Sequence, residues 1–371
     1  MHDLRVGFVG FGFIGKVHAF GYRTFPFYYP DLPAARFVAV CTSRSETAKA
    51  AQAAFGFDRV TTDFREVTEA DDVDVVHIAT PNVLHKDALL SAMAAGKHIY
   101  CEKPLVASLA EAREIEVALA GYSGTAQMVL QNRFSPATMR AKELVDEGFL
   151  GEVLSFRAAY LHSGSADPDA PLKWKLDRSL AGGGVLFDLG SHIIDVVSHL
   201  AGDFAEVDCR TKIAFSERPG LDGAARVPVE AEDLALITAV TEGGAVGTVE
   251  ASKIATGTLD ELRYEIHGTV GAFRFNSMRP SWLEAYSTAD GRGWQALDTA
   301  TDYPPPAAKF PGPKFALGWI RTHAACLANF VHAVAEGRPA DPSLAVGIRL
   351  QKVMDACYRS TRARQPVWIE S

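Results

Sequence analysis

Over the first 131 residues, short apolar runs alternate with amphipathic ones. "RVGFVG" (5–10), "RFVAVC" (36–41), "VDVVHIAT" (73–80), "KHIYC" (97–101) and "AQMVLQ" (126–131) read as strands with little polar interruption. Between them, "ETAKAAQAAFG" (46–56), "VLHKDALLSAMAAG" (83–96) and "SLAEAREIEVALAG" (108–121) are rich in Ala and Leu and end on glycine, as helices do. Strands that are apolar on both faces, with a helix between each pair, predict a doubly wound parallel sheet covered on both sides. After Gln131 the pattern changes. "SPATMRAKELVDEG" (135–148) predicts a helix with proline at its start. Longer runs follow: "EVLSFRAAYL" (152–161), "EVDCRTKIAF" (206–215), "DLALITAVTEGGAVGTVEASKI" (233–254) and "ELRYEIHGTVGAFRFNS" (261–277). Their alternation and glycine turns predict a large, open, mostly antiparallel sheet with one exposed face. Helices over roughly 315–336 and 344–360 close the chain, and a proline-rich connection, "DYPPPAAKFPGPKF", precedes them at 302–315.

The 371 residues suit two domains, 1–131 and an α+β domain over 132–371 that carries substrate binding and oligomerisation, its last helix packing back on the first domain. The formal net charge of −8 and the lack of a basic block speak against nucleic acid and anionic membranes as partners. Five scattered cysteines without a CxxC pair indicate neither a disulfide framework nor a zinc ribbon. With no export signal and no apolar run of about 18 residues, the expectation is a cytoplasmic protein.

The loop after the first strand carries chemistry. Gly10-Phe11-Gly12-Phe13-Ile14-Gly15 is a GxGxxG that follows an apolar strand and opens a helix, the context of a Rossmann dinucleotide site. Its glycines give a tight turn, room for a pyrophosphate and close packing of helix on strand. The second strand ends in Thr42, Ser43 and Arg44 where an acidic residue would hold the ribose of NAD. Without that carboxylate, and with Arg44 available to a 2′-phosphate, the reading is NADP or NAD, tilted to NADP. Lys103 in "CEKPL" (101–105) stands at the carboxyl end of the fourth strand, where ligands of doubly wound sheets bind. Pro104 stiffens that turn and is expected to be cis.

In "GGGVLFDLGSHIIDVVSHL" (182–200), Asp188, His192, Asp195 and His199 recur at steps of four, three and four. On one helix they form a single stripe. Either the stripe faces water or it serves chemistry, and the metal-ion reading lacks a third ligand.

GxGxxG, "TPNVLH" (80–85), "EKPL" (102–105) and "GGGVLFDLGSHIID" (182–195) occur in one order and spacing. In them the chain resembles the glucose–fructose oxidoreductase, inositol dehydrogenase and rhizopine-catabolism family (Gfo/Idh/MocA). The resemblance implies a metal-free hydride transfer between a nicotinamide cofactor and a secondary hydroxyl or ketone of a cyclic polyol, sugar or sugar derivative. It implies Lys103, Asp188 and His192 as the catalytic set, and Thr80, Asn82, His85 and Glu102 beside the nicotinamide and ribose. Histidine suits a reversible proton acceptor at neutral pH, and the charge of Asp188 one turn away favours its proton-loaded form. Arg133, His162, Trp174 and Lys175 are expected at the substrate, the last three on a long loop that reads as a lid. A homodimer or homotetramer through the open sheet is expected. The alternatives within this fold are an NAD-dependent glycoside hydrolase, an NADPH-dependent reductase of an anhydro-ketose or dihydrodiol, and a non-catalytic nucleotide-binding regulator.

Overall fold

The computed structural model describes residues 3–220, 225–299 and 318–370. They form two compact units, residues 3–131 with 318–351, and residues 132–299 with 352–370 among those described. The proline-rich stretch 302–315 lies outside the described residues.

The first unit is built on β1 (Leu4–Val9), β2 (Ala35–Cys41), β3 (Arg59–Thr61), β4 (Val75–Ile78), β5 (His98–Cys101) and β6 (Ala126–Met128), all paired in parallel in the order β3-β2-β1-β4-β5-β6. α1 (Phe13–Tyr28), α2 (Ser45–Phe55), α3 (Arg65–Thr68), α4 (His85–Ala94) and α5 (Leu109–Leu119) connect the strands. The order reverses direction between β1 and β4, which opens the binding crevice of a doubly wound sheet there. All four residues of β4 are buried, as a central parallel strand requires. Phe8 on β1 stacks on His77 of β4 at 4.5 Å and meets Phe11, Phe37 and Phe57 edge-on. Burying each such ring is worth about 1.5–3 kcal/mol. β3 was not expected, because its three residues sit among polar neighbours.

The second unit starts with α6 (Pro136–Asp146), capped by Ser135, whose hydroxyl accepts from the Thr138 N–H. Then come β7 (Val153–Leu161), a short α7 (Arg178–Ala181), α8 (Ser191–Ala201), β8 (Phe204–Lys212), a small hairpin of β9 (Glu217–Pro219) and β10 (Arg226–Pro228), β11 (Leu234–Thr241), β12 (Val246–Ser252), β13 (Glu261–Gly268), β14 (Gly271–Asn276), β15 (Trp282–Ser287) and β16 (Gln295–Asp298). α9 (Trp319–Glu336), α10 (Leu344–Ala363) and β17 (Val367–Trp368) end the chain. The large sheet runs β16-β15-β14-β13-β7-β12-β11-β8-β17. Among the described residues its only parallel pair is β7 with β12. Buried and exposed positions alternate along β11 and β13, so one face is core and the other is open.

Two differences from the sequence reading follow from packing. Residues 318–351, assigned from sequence to the second domain, belong to the first unit, where α9 lies along α1. Arg178–Ala201 is long and apolar enough to cross a bilayer by length and composition, although no such run was expected; 83% of its most apolar window is buried, as in a core helix.

Candidate active site

The GxGxxG forms an anion cradle at the β1 end of the crevice. α1 starts after Gly12 with no side-chain cap and no acidic residue in its first turn. Its free N–H groups and positive dipole end are therefore available to a phosphate. Gly10 has φ +88°, and a Cβ there would sit 2.5 Å from the Ala79 carbonyl oxygen. A Cβ on Gly12 would meet no atom within 4 Å. The backbone is thus bare on the side a pyrophosphate approaches. Gly15 faces the Gly10 carbonyl, which a Cβ would approach to 3.0 Å. At the end of β4, the Thr80 hydroxyl is buried with no hydrogen-bond partner among the described residues. These residues fit a dinucleotide. Within the motif, the Phe11 ring is buried against Phe8, Phe55 and Phe57 and leaves its backbone to the cradle. Phe13 is exposed and Ile14 half-buried. After β2, Thr42 donates to the Arg44 carbonyl at 2.8 Å, while Ser43 and Arg44 are exposed.

The turn after β5 has a cis Lys103–Pro104 bond. Two residues expected beside the nicotinamide ribose are engaged elsewhere. Glu102 is buried, with Oε1 3.1 Å from His18 Nε2 on α1 and Oε2 accepting from the Lys103 N–H at 3.2 Å. Burial pushes its carboxyl up, but the hydrogen bond from His18 and the Lys103 charge outweigh it, and the net shift is down. His85 is fully buried, its Nε2 3.0 Å from the Thr80 carbonyl and its Nδ1 3.1 Å from the carbonyls of Pro104 and Leu105. Burial lowers the pKa of His85, and a neutral imidazole has one N–H, which it donates to the carbonyls of one of these two turns. Its role is structural. Asn82 is buried in the short turn before α4.

In the second unit, polar groups gather where β7 and β12 end side by side, Leu161 opposite Ser252. The segment read as one helix has a wide π-helical turn over Leu186–Gly190 before α8. Such turns occur often at functional sites, and this one carries Asp188. The Asp188 carboxylate sits between two ammonium groups: Oδ1 is 2.7 Å from Lys175 Nζ and Oδ2 is 3.3 Å from Lys253 Nζ. Lys175 is half-exposed and Lys253 buried. One carboxylate and two ammoniums sum to +1. The sequence reading had Asp188 favouring a protonated His192; this pair of lysines offsets that field. His192, on the first turn of α8, is buried with its ring 5.8 Å from that of Tyr160. His162 Nε2 lies 2.8 Å from Asp260 Oδ1. Trp174 is half-buried, with the Lys175 ammonium 5.9 Å from its ring.

The rest of the stripe is not with this cluster. Asp195 forms a buried pair with Arg133, Nε to Oδ2 at 2.9 Å and Nη2 to Oδ1 at 2.5 Å. Arg133, expected at the substrate, therefore anchors α8 instead; a buried carboxylate demands such a partner. Burial, with Arg133 and Lys142 nearby, holds His199 neutral, its pKa pushed down to about 3. The loop expected as a lid is pinned. Fully buried Arg218 donates to the Ser165 carbonyl at 2.5 Å and the Asp167 carbonyl at 2.6 Å. Gly183 and Gly184 lie against protein, a Cβ on Gly183 coming within 2.2 Å of the Tyr358 hydroxyl. The Glu232 carboxylate accepts from the N–H groups of Gly184 at 3.1 Å and Leu186 at 3.0 Å, and a Cβ on Gly184 would lie 2.2 Å from the Glu232 carbonyl.

Comparison with known proteins agrees with this geometry. Residues 4–129 match the model of the oxidoreductase family's NAD-binding Rossmann fold, and residues 142–369 match its C-terminal alpha/beta domain, both labelled Gfo/Idh/MocA. The chain belongs to the Gfo/Idh/MocA oxidoreductase family. Levoglucosan dehydrogenase of Pseudarthrobacter phenanthrenivorans is 34% identical over 100% of this chain and 98% of its own length. Inositol 2-dehydrogenase of Rhizobium meliloti is 28% identical, with 99% of each chain covered. A solved structure of levoglucosan dehydrogenase in complex with NADH and levoglucosan superposes with a TM-score of 0.94 at 34% identity, over 100% of both chains.

In this oxidoreductase the polar groups missed from sequence are Lys253, Asp260, Glu232 and Arg218. Each stands alone in its own segment, and only the fold brings it to Asp188, His162, the Gly184 turn or the 165–170 loop. His18 on α1 was missed for the same reason.

Proposed function

We propose that this oxidoreductase is an NAD(H)-linked dehydrogenase of a cyclic sugar, and that the sugar is an anhydropyranose of the levoglucosan type. The observation that carries the reading is end-to-end likeness to levoglucosan dehydrogenase, at 34% identity with both chains covered almost completely. When bound, the nicotinamide supplies the hydride acceptor. The chain's own groups handle the proton and the orientation. His192 takes the proton of the carbinol hydroxyl, a task an imidazole performs at neutral pH. Asp188, held between the Lys175 and Lys253 ammoniums, orients that hydroxyl. Lys103, in the turn after β5, is the cationic group that the first unit contributes to the reaction. His162, held by Asp260, and Trp174 are the sugar-contacting groups. The test is absorbance at the reduced-nicotinamide band with levoglucosan, inositols, free pyranoses and glycosides. We expect net NADH formation, highest with levoglucosan. Glycoside cleavage without net NADH, or no hydride transfer with any of them, refutes the reading.

The exposed Ser43 and Arg44, where the sequence reading tilted to NADP, support acceptance of NADP as well as NAD. A preference for NAD of more than about a hundredfold in kcat/KM, equivalent to about 2.8 kcal/mol, overturns this. The open face of the large sheet displays Leu236, Val246 and Trp282 among charged residues, which supports a homo-oligomer assembled through it. Light scattering at micromolar protein decides between that and a monomer.

A further inference from the structure

Four buried polar side chains of the first unit stand in line behind Lys103. Glu102 Oε1 is 3.1 Å from His18 Nε2, His18 Nδ1 is 3.2 Å from His77 Nδ1, and His77 Nε2 is 2.9 Å from the Tyr22 hydroxyl. None of the four is more than 7% exposed. Tyr22 and His18 come from one face of α1, His77 from the middle of β4 and Glu102 from the end of β5. Apolar side chains would fill such a core without the cost of burying polar groups.

Counting donors fixes the direction of the line. Burial holds Tyr22 as the neutral phenol. Its hydroxyl has His77 Nε2 as its partner among the described residues, so it donates there. A reversed bond would leave a buried O–H unmatched, which is costly. His77 Nε2 is therefore bare. Burial also keeps His77 neutral, so its one proton is on Nδ1 and points to His18. His18 Nδ1 accepts it, which puts the His18 proton on Nε2, facing Glu102. Glu102 accepts that bond on one oxygen and the Lys103 N–H on the other. Each donor in the line meets an acceptor, in one direction only.

We propose that His18 is a positioning residue for the hydride-transfer reaction: backed by His77 and Tyr22, it fixes the Glu102 carboxylate, and Glu102 fixes the turn that presents Lys103. This rests on the reading of Lys103 as a group of the reaction. The chain moves no proton during turnover; it sets orientation and charge.

Two measurements on the full-length enzyme test it. The first is the 15N spectrum of histidine-labelled wild type at pH 7, with His18 and His77 assigned in the wild type by through-space contacts of their rings with each other, 5.2 Å apart, and with Tyr22, 5.4 Å from His77. We expect His18 as the Nε2–H tautomer and His77 as the Nδ1–H tautomer. A charged His77, or its Nε2–H tautomer, overturns the inference, and this holds even if a variant fails to fold. The second compares His18→Leu, which removes the donor to Glu102, with His18→Gln, whose amide retains one. We expect His18→Leu to lower kcat about tenfold, short of the 10²–10⁴-fold expected on losing an acid–base group itself. KM for the sugar and Kd for NADH should stay within about twofold, and His18→Gln should recover most of the loss. A folded His18→Leu with kcat within twofold of wild type overturns the inference. Lys103→Met, assayed alongside, separates the two failures. If it keeps turnover, the reading of Lys103 is wrong; if it collapses while His18→Leu does not, only the positioning role is wrong.

Discussion

Gly12→Ala isolates the phosphate cradle from the fold. The added methyl would meet no atom within 4 Å, and the position has φ −78° and ψ −151°, which alanine adopts without strain. Gly12 caps α1 without a side-chain bond; glycine is preferred to alanine there, so the exchange costs the helix up to about 1 kcal/mol. The melting temperature should therefore move by a few degrees at most. The methyl does, however, occupy the space where a pyrophosphate reaches the first N–H groups of α1. A hydrogen bond to a charged group is worth about 1.5–3 kcal/mol. Losing one such bond weakens NADH binding by roughly tenfold to a hundredfold. Gly10→Ala is the contrast. At φ +88°, with the Ala79 carbonyl oxygen 2.5 Å from the new methyl, it strains the β1–β4 contact. Backbone strain alone costs about 1–3 kcal/mol, so melting should fall clearly. The assay is titration of NADH fluorescence beside thermal melting for both variants. A Gly12→Ala chain that melts like wild type and binds NADH within twofold of it would show that no phosphate approaches this backbone, and the cradle assignment would be lost.

Other outcomes follow from the same structure. Lys253→Met leaves Asp188 with one ammonium instead of two, and kcat for sugar oxidation should fall about tenfold or more with NADH affinity unchanged; undiminished kcat would remove Lys253 from the machinery. Arg133→Leu strands the buried Asp195 charge and should cost about 3–5 kcal/mol in urea unfolding; a loss under about 1 kcal/mol would mean that the pair does not anchor α8. His77, His199 and His323 all have pKa values depressed mainly by burial, the last two to about 3. As pH falls below about 6.5, the unfolded chain takes up protons these folded imidazoles refuse, so stability declines by at most about 1.4 kcal/mol per pH unit for each. Melting should be lower at pH 5.5 than at pH 7.5, and equal values would contradict their burial as neutral groups.

The parallel half of the fold was legible because each of its long segments carries its signal within itself. β4 is apolar except for His77 and is buried from end to end. α2 closes on Gly56 at φ +76°, where the glycine promised a stop. β3, β9 and β10 were not legible: three residues are too few for a period to show, and tertiary pairing alone makes them strands. The run 233–254 was legible as well: the glycines of "EGG" signal a hairpin turn, and there the run folds into the antiparallel pair β11 and β12.

The site divides along the same line. Spacing along one element exposed Asp188 and His192, but the same spacing also gathered Asp195 and His199, which serve a different neighbourhood. A helical period says which residues share a face, not what lies opposite. Opposite Asp195 stands Arg133, and opposite Asp188 stand Lys175 and Lys253. Those partners decide whether a buried carboxylate anchors a helix or faces chemistry. Motif matching has the same limit. Glu102 and His85 occupy motif positions, yet their side chains turn inward, toward His18 and toward the carbonyls of Thr80, Pro104 and Leu105. A motif fixes where the backbone goes, while the direction of a side chain there depends on which buried donors and acceptors need a partner. In this chain the demand comes from α1: His18 needs an acceptor in the core, and Glu102 is the one within reach.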